Sequence, residues 1–158
     1  MKPLKIIIFI TVFVLSFTAI FFIIKIYLKK DYCYDSTYSE KIILKDHEIC
    51  VEIVNTPDKM QKGLSGRESL CDKCGMLFDF PQKTNANFWM KEMLIPLDMI
   101  WISDERVVDI TKDVPISTTI SSGNLPIYSP KEKVNIVLEV NAGFTDKYNI
   151  EIADTLTR

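Results

Sequence analysis

The chain has 158 residues, 47% of them hydrophobic and 25% charged, a composition that predicts one folded domain rather than extended disorder. Residues 1–30 contain five lysines and no acidic side chain, so residues 31–158 retain 14 basic and 21 acidic side chains, a balance of −7. Because attraction to phosphate dominates nucleic-acid binding, this acidic balance argues against nucleic acid as a partner.

Residues 6–24 form an uncharged, predominantly apolar run that is bracketed by lysines. A helix of this length spans roughly 28 Å, close to the ~30 Å hydrocarbon core of a bilayer. The run is longer than the hydrophobic region of a cleaved signal peptide, and bulky or charged residues follow it where small ones would mark cleavage. The sequence therefore predicts an uncleaved signal anchor: residues 1–30 contain one transmembrane helix, over about 6–24, in contact with the lipid bilayer.

Four cysteines follow the anchor, an even number that favours disulfides. The predicted pairs are Cys33–Cys50 and Cys71–Cys74. Zinc binding and a redox dithiol stay open as alternatives, although the spacing lacks the paired pattern of zinc ribbons, and no metal or cofactor is predicted. Because disulfides persist in oxidising compartments, this interpretation places the N-terminus in the cytoplasm and the C-terminal domain outside the cell membrane.

Residues 31–40 are polar and rich in tyrosine, which predicts a tether before a domain at residues 41–158. Short β-rich runs predict seven or eight strands, at Lys41–Lys45, Glu48–Val54, Met76–Phe80, Asn87–Lys91, Asp98–Ser103, Arg106–Ile110, Val134–Val140 and Ile150–Leu156. Thr56 as N-cap and Pro57 at the first helical position predict a short helix, and Ala142–Tyr148 predicts a single helical turn.

Residues 111–130 contain three prolines and many hydroxyl side chains, which predict a long loop. Many short strands with few helices are typical of a mainly β fold. The predicted class is therefore a mostly antiparallel β sandwich or barrel with one or two short helices, preceded by the N-terminal transmembrane helix.

The domain resembles domain of unknown function family number 192 in four blocks, GLSGRESL (63–70), GMLFDF (75–80), FWMKEMLIPLDMIWI (88–102) and VLEVNAG (137–143). The resemblance covers roughly residues 41–156 and implies a mainly β, often exported or membrane-anchored domain without an established activity. The family's prominent positions fall on Arg67, Gly75, Met76, Phe88, Trp89, Met90, Lys91, Pro96, Leu97, Asp98 and Glu139. The chain departs from the family at Glu92 and Met93, where Asn and Thr are common.

Polar residues within these blocks form one candidate ligand-binding site, made of Arg67, Trp89, Lys91, Asp98 and Glu139. Glu139 lies inside an otherwise apolar strand, and a buried carboxylate needs a partner, for which Arg67 or Lys91 is the natural candidate. One interpretation is a structural ion pair that fixes the loop carrying Arg67. The other is a small cleft in which all five side chains converge on a ligand.

The sequence contains one histidine, His47, at a predicted hairpin tip, which argues against histidine-based catalysis and histidine-rich metal sites. Asp98 and Glu139 would form the acid pair of a glycoside-type hydrolase if their carboxyl groups lay ~5–10 Å apart. The leading hypothesis is instead a membrane-anchored extracytoplasmic β domain that binds an envelope ligand or protein without catalysing a reaction. A hydrolase and a purely structural envelope protein are the alternatives.

Overall fold

The computed structural model describes residues 33, 37–117 and 125–158, and these residues form seven strands and two short helices. The strands are β1 (Glu40–Leu44), β2 (His47–Val54), β3 (Cys74–Thr84), β4 (Leu97–Ser103), β5 (Arg106–Val114), β6 (Val134–Asn141) and β7 (Leu156–Thr157). The helices are α1 (Pro57–Lys62) and α2 (Phe144–Lys147). Extended backbone at Thr56 and a proline at the start of α1 confirm the predicted helix start.

The strands form one sheet with the order β5-β4-β6-β3-β2-β1-β7. Strands β2 and β3 are parallel, and α1 lies in the long connection that a parallel pair requires. The other neighbouring strands are antiparallel. The prediction of a mainly β, mostly antiparallel fold is confirmed, in the form of one curled half-barrel sheet.

The C-terminal segment, residues 153–157, forms hydrogen bonds near both ends of the strand order. Leu156 pairs with Leu44 of β1, and its backbone nitrogen donates to the carbonyl oxygen of Glu105 at 2.8 Å. Arg106, the first residue of β5, forms a bridge with Thr155. The sheet curls far enough for one short segment to reach both β1 and the start of β5.

Alternation along β6 directs successive side chains to opposite faces of the sheet. One face carries Leu138 and Val140, which pack in a hydrophobic cluster with Phe144 of α2, and we call it the α2 face. The opposite face carries Val137 and Glu139, and we call it the cavity face. Its hydrophobic cluster includes side chains from the connections before and after β3.

Two predicted strands are wrong. Residues 87–91 contain only an isolated bridge between Phe88 and Tyr128, because the alternation there buries side chains against the cavity face without forming a ladder. Of residues 150–156 only Leu156 belongs to a strand, β7; a turn lies before it, where Ala153 has a φ of 76°, which is incompatible with an extended strand.

Two other strands are longer than the sequence predicts. Strand β3 continues past Phe80 through Pro81 to Thr84, and the register of its pairing with β6 shifts in this stretch. Proline has no backbone N–H to donate to the neighbouring strand, so within a sheet it is tolerated at irregularities of the register such as this one. Strand β5 continues to Val114, inside the predicted loop at 111–130.

The four cysteines lie together at one end of the parallel pair. The Cα atoms of Cys33 and Cys50 are 5.4 Å apart and those of Cys71 and Cys74 are 5.0 Å apart, so both predicted pairs are compatible with disulfide bonds. Cys50 and Cys74 are direct neighbours in the register of β2 and β3. The two bridges therefore lie side by side.

The predicted transmembrane helix at about 6–24 lies outside the described residues, as does half of the predicted tether, residues 31, 32 and 34–36. No helix in the part of the chain that the structure describes is long and apolar enough to cross a membrane. The described residues of Cys33–Arg158 form one compact unit.

Candidate functional site

Glu139 lies in the middle of the sheet, on the cavity face. Its cross-strand neighbours are Met76 in β3 and Met99 in β4, so both flanking side chains are apolar. Only 5% of its surface is exposed. Within the described part of the chain its carboxyl group makes no hydrogen bond and no ion pair.

Burial without a compensating cation raises the pKa of Glu139 from 4.5 to about 8, so the group is protonated at neutral pH. A protonated carboxyl group both donates and accepts hydrogen bonds. Every fully buried side-chain nitrogen or oxygen among the described residues has a hydrogen-bond partner. The carboxyl oxygens of Glu139 have none among the described residues, and Glu139 lines the space above this face of the sheet.

That space is a cavity of about 580 Å³. Its walls come from α1 and the loop after it, from the second half of β3, and from the loop that follows β3. Aromatic and thioether side chains form much of the apolar wall: Met60, Phe78, Phe80, Phe88, Trp89 and Met93. Amide and hydroxyl side chains supply the neutral polar groups: Gln61, Ser65, Gln82, Thr84, Asn85 and Asn87.

A second cavity of about 260 Å³ shares part of its wall with the first. Trp89, Gln61, Lys62 and Ser65 line both cavities. Trp89 is 42% exposed although it is a large aromatic side chain. An accessible indole ring therefore lies where the two cavities meet.

Asp98 lies on β4 but faces the opposite side of the sheet, at the start of α2. One carboxylate oxygen accepts hydrogen bonds from the backbone nitrogens of Asp113 and Gly143, at 2.8 and 3.2 Å. The other accepts from the backbone nitrogen and the hydroxyl of Thr145, at 2.9 and 2.7 Å. Asp98 is fully buried, and its four donors make it a structural group.

This placement contradicts the carboxylate-pair hypothesis. The two acids of a glycoside hydrolase must flank the same bond of the substrate. Asp98 pairs with Val140 of β6, so the two side chains lie on the same face of the sheet. Glu139 precedes Val140 in β6, and its side chain therefore faces the other side, where the cavity lies. The two carboxyl groups lie on opposite faces and do not share a cleft.

The expected internal partners of Glu139 are also wrong. The Arg67 guanidinium binds Glu52 at 2.6 Å, and both side chains are about three-quarters buried. Lys91 lies 3.9 Å from the carboxylate of Glu92 on the surface and lines only the smaller cavity. Of the five predicted site residues, the structure brings Trp89 and Glu139 to the large cavity and Lys91 next to it, while Arg67 and Asp98 lie elsewhere.

Glu92 and Met93, which depart from the pattern that the resemblance implies, lie in a turn that contacts the loop after α1. Glu92 has a φ of 56°, in the left-handed region that asparagine adopts more readily than most residues. Its carbonyl oxygen accepts from the backbone nitrogen of Gly66 at 2.9 Å, and the Ser65 hydroxyl donates to the carbonyl oxygen of Lys91 at 2.8 Å. The asparagine that the resemblance implies would suit this turn, and nothing in the structure explains the glutamate at position 92. Met93 adds an apolar side chain to the cavity wall.

Much of the large cavity comes from residues that the sequence did not single out. Residues 82–87, at the end of β3 and in the loop after it, contribute amide and hydroxyl groups but match no motif. Met60 of α1 is a further wall residue, and it lies on a short helix without buried residues. Among the described residues, no group of three or more His, Cys, Asp and Glu side chains is arranged to hold a metal ion.

Comparison with known sequences identifies a family without a described activity. The family profile named DUF192 (domain of unknown function 192), described as "Uncharacterized ACR", matches residues 40–158. No curated protein sequence matches the chain.

Two solved structures are similar to this chain. One is a Sinorhizobium meliloti protein described as a candidate transcription regulator, with 30% identity and a TM-score of 0.68 over 78% of this chain and 96% of that one. The other is a protein of unknown function from Novosphingobium aromaticivorans, with 23% identity and a TM-score of 0.70 over 82% of this chain and 99% of that one. The second likeness shows the fold alone.

Proposed function

The chain belongs to the uncharacterised DUF192 family, and we propose that its β domain is a ligand-binding module whose ligand occupies the cavity lined by Glu139. The observation that carries this proposal is the buried carboxyl group of Glu139, which has no partner among the described residues and lines a cavity. Burying a polar group without a hydrogen bond lowers stability, whereas a well-packed apolar side chain at the same position would raise it. A ligand that hydrogen-bonds to Glu139 supplies the missing partner.

We further propose that residues 6–24 anchor this module in the cell membrane with the domain outside. The uncharged run at 6–24 and the two cysteine pairs support this location, since disulfides persist in oxidising compartments. A tag placed after Arg158 is expected to be cleaved by protease added to intact spheroplasts. Protection of the tag would contradict the proposed orientation.

The description of the Sinorhizobium protein as a candidate transcription regulator is not extended to this chain. Residues 31–158 carry 14 basic and 21 acidic side chains. A surface with this balance lacks the excess of lysine and arginine that binding to nucleic-acid phosphates requires. The ligand proposed here is instead a small molecule or a short segment of a larger one.

Ligand-observed NMR with the purified full chain tests the binding proposal, using a mixed library of small saccharides, carboxylic acids and amines. We expect compounds that bind the wild type to lose binding in Glu139→Leu, which removes the carboxyl group from the cavity. The control is Glu52→Gln, because Glu52 is an acid whose side chain is about three-quarters buried but which lines neither cavity. Absence of any compound whose binding depends on Glu139 would overturn the proposal and favour a structural envelope protein.

A further inference from the structure

We propose that the ligand is a neutral oligosaccharide of at least two sugar units, which spans both cavities across Trp89. This inference rests on the binding function proposed above and adds the chemical class and the minimum size of the ligand. Its basis is the arrangement of charge, hydrogen-bonding groups and the exposed indole ring around the two cavities.

The charges around the large cavity favour a neutral ligand. Besides Glu139, its only charged lining residues within the described ranges are Lys62 and Lys83, and both are exposed. Lys83 is held by the carboxylate of Asp104 at 2.5 Å. The floor at Glu139 therefore offers no fixed counter-charge to an anion, and the protonated acid offers none to a cation.

The polar groups suit hydroxyl-bearing rings. Amide side chains and hydroxyls can both donate and accept, which is the capacity that sugar hydroxyls also have. Four residues with amide side chains and two with hydroxyl side chains line the large cavity. The Ser65 hydroxyl already donates to the carbonyl oxygen of Lys91 and the Asn87 oxygen accepts from Ser129, which leaves their remaining capacity and the other four side chains for a ligand. At its floor the carboxyl group of Glu139 can donate to one sugar oxygen and accept from another hydroxyl.

The position of Trp89 favours a ligand longer than one unit. Trp89 lines both cavities and is 42% exposed, so its indole ring is available as an apolar face on which a sugar ring can stack. The large cavity alone falls within the ~300–1,000 Å³ that binding sites of small molecules occupy. The smaller cavity then receives the adjoining unit, beside the charged side chains of Asp58, Lys91 and Glu92.

Calorimetry and tryptophan fluorescence on the purified full chain test this inference. The probes are neutral disaccharides of hexoses and of N-acetylated amino sugars, each compared with its own monosaccharide. We expect the best disaccharide to bind about tenfold or more tightly than its monosaccharide, and Trp89→Ala to lose about tenfold in affinity. Ile152→Ala is the control, because Ile152 is an exposed apolar side chain that lines neither cavity.

Fluorescence separates stacking from an indirect effect of the substitution. The other tryptophan, Trp101, is fully buried and donates its indole N–H to the Thr111 hydroxyl at 2.9 Å. Ligand-induced fluorescence changes are therefore expected to come from Trp89. The Trp89→Phe variant should lose the fluorescence response but keep the calorimetric affinity within about threefold, since a phenyl ring can still stack.

Three results would overturn the oligosaccharide inference: no saccharide binding, equal affinity for disaccharide and monosaccharide, or unchanged affinity in Trp89→Ala. Binding of an acid or an amine that depends on Glu139, without binding of any saccharide, would also overturn it but would leave the ligand-binding function intact. Failure of every compound class would overturn both proposals.

Discussion

Asp98 and Glu139 are two buried carboxyl groups on neighbouring strands with opposite surroundings. Asp98 faces the α2 face and accepts four hydrogen bonds that fix the start of α2 and the end of β5. Glu139 faces the cavity side, lies between two methionines, and has no partner within the described residues. Both are at least 95% buried, so burial alone does not distinguish them.

The difference distinguishes an acid that stabilises the fold from an acid that can still form hydrogen bonds with a ligand. A carboxylate whose oxygens are occupied by backbone donors holds the fold together and has no capacity left for a ligand. A carboxyl group without donors destabilises its site and keeps its full capacity for hydrogen bonds. Stability measurements on matched amide variants should therefore give opposite results at the two positions.

The largest expected effect is the pH dependence of stability at Glu139. Its pKa is raised in the folded state, so its ionisation does not affect stability below pH 4.5 and lowers stability progressively as the pH rises to about 8. At about 1.4 kcal/mol per pKa unit, Glu139→Gln should exceed the wild type in stability by up to about 5 kcal/mol at pH 8. Chemical denaturation of both proteins from pH 4 to pH 9 measures this difference.

The same series contains its own control. At pH 4 the protonated acid and the amide are both neutral, so the two proteins should have similar midpoints. A difference that stays constant from pH 4 to pH 9 would contradict the raised pKa. A lower stability of Glu139→Gln at pH 8 would reveal a structural partner for the carboxylate.

Asp98→Asn should lower the free energy of unfolding, by about 3 kcal/mol or more, whereas Glu139→Gln should raise it. The amide keeps one acceptor oxygen, and its NH₂ group replaces an oxygen that receives two donors from Thr145. An unsatisfied buried donor costs about 1–3 kcal/mol, and two are created here. The fall in denaturation midpoint measures the loss, and a midpoint at the wild-type value would contradict the structural role of Asp98.

Gly75→Ala should destabilise the domain by about 1–3 kcal/mol, the usual range for overpacking. A Cβ atom on Gly75 would lie 2.6 Å from the backbone carbonyl oxygen of Glu139, and a backbone atom cannot move aside without shifting β6. The substitution therefore disturbs β6 on the α2 face, where the new Cβ also meets Leu138 and Val140, and Val140 is the cross-strand neighbour of Asp98. Gly66→Ala is a useful comparison, because a Cβ there meets no atom within 4 Å and only the φ of 73° opposes it.

The smallest expected effect is that of Arg67→Met, about 1 kcal/mol or less. Its ion pair with Glu52 is partly exposed, and pairs near the surface contribute little. In double-mutant cycles, Arg67→Met should couple to Glu52→Gln and be additive with Glu139→Gln. Coupling between positions 67 and 139 would restore the ion pair that the sequence predicts and the structure does not contain.

The sequence predicts the local parts of this fold well. Alternation locates β1, β2, β4 and β6, and the Thr56-Pro57 start locates α1, because these signals depend on neighbouring residues. The run at 87–91 misleads for the same reason. Its apolar residues alternate because they pack onto a sheet made elsewhere in the chain.

The candidate site is harder to predict because its features are set by pairing between distant strands. Whether Asp98 and Glu139 share a face depends on the register of β4 against β6, which no local pattern specifies. The partner of Arg67, Glu52, has a partial signal in the sequence, because alternation in β2 places Glu52 on the same face as Cys50. The loop after β3 gives no signal, although it supplies much of the cavity.

The bond between Cys33 and Cys50 changes how a pulling force enters the domain. Tension applied to the chain before residue 33 passes through the sulfur atoms to β2 and bypasses the intervening residues, which include β1. Strand β2 has a hydrogen-bonded neighbour on each side, whereas one neighbour of β1 is the two-residue β7. If the domain is pulled through its N-terminus, the disulfide bond therefore transfers the force to β2, an interior strand, and the force does not separate β1 from the sheet.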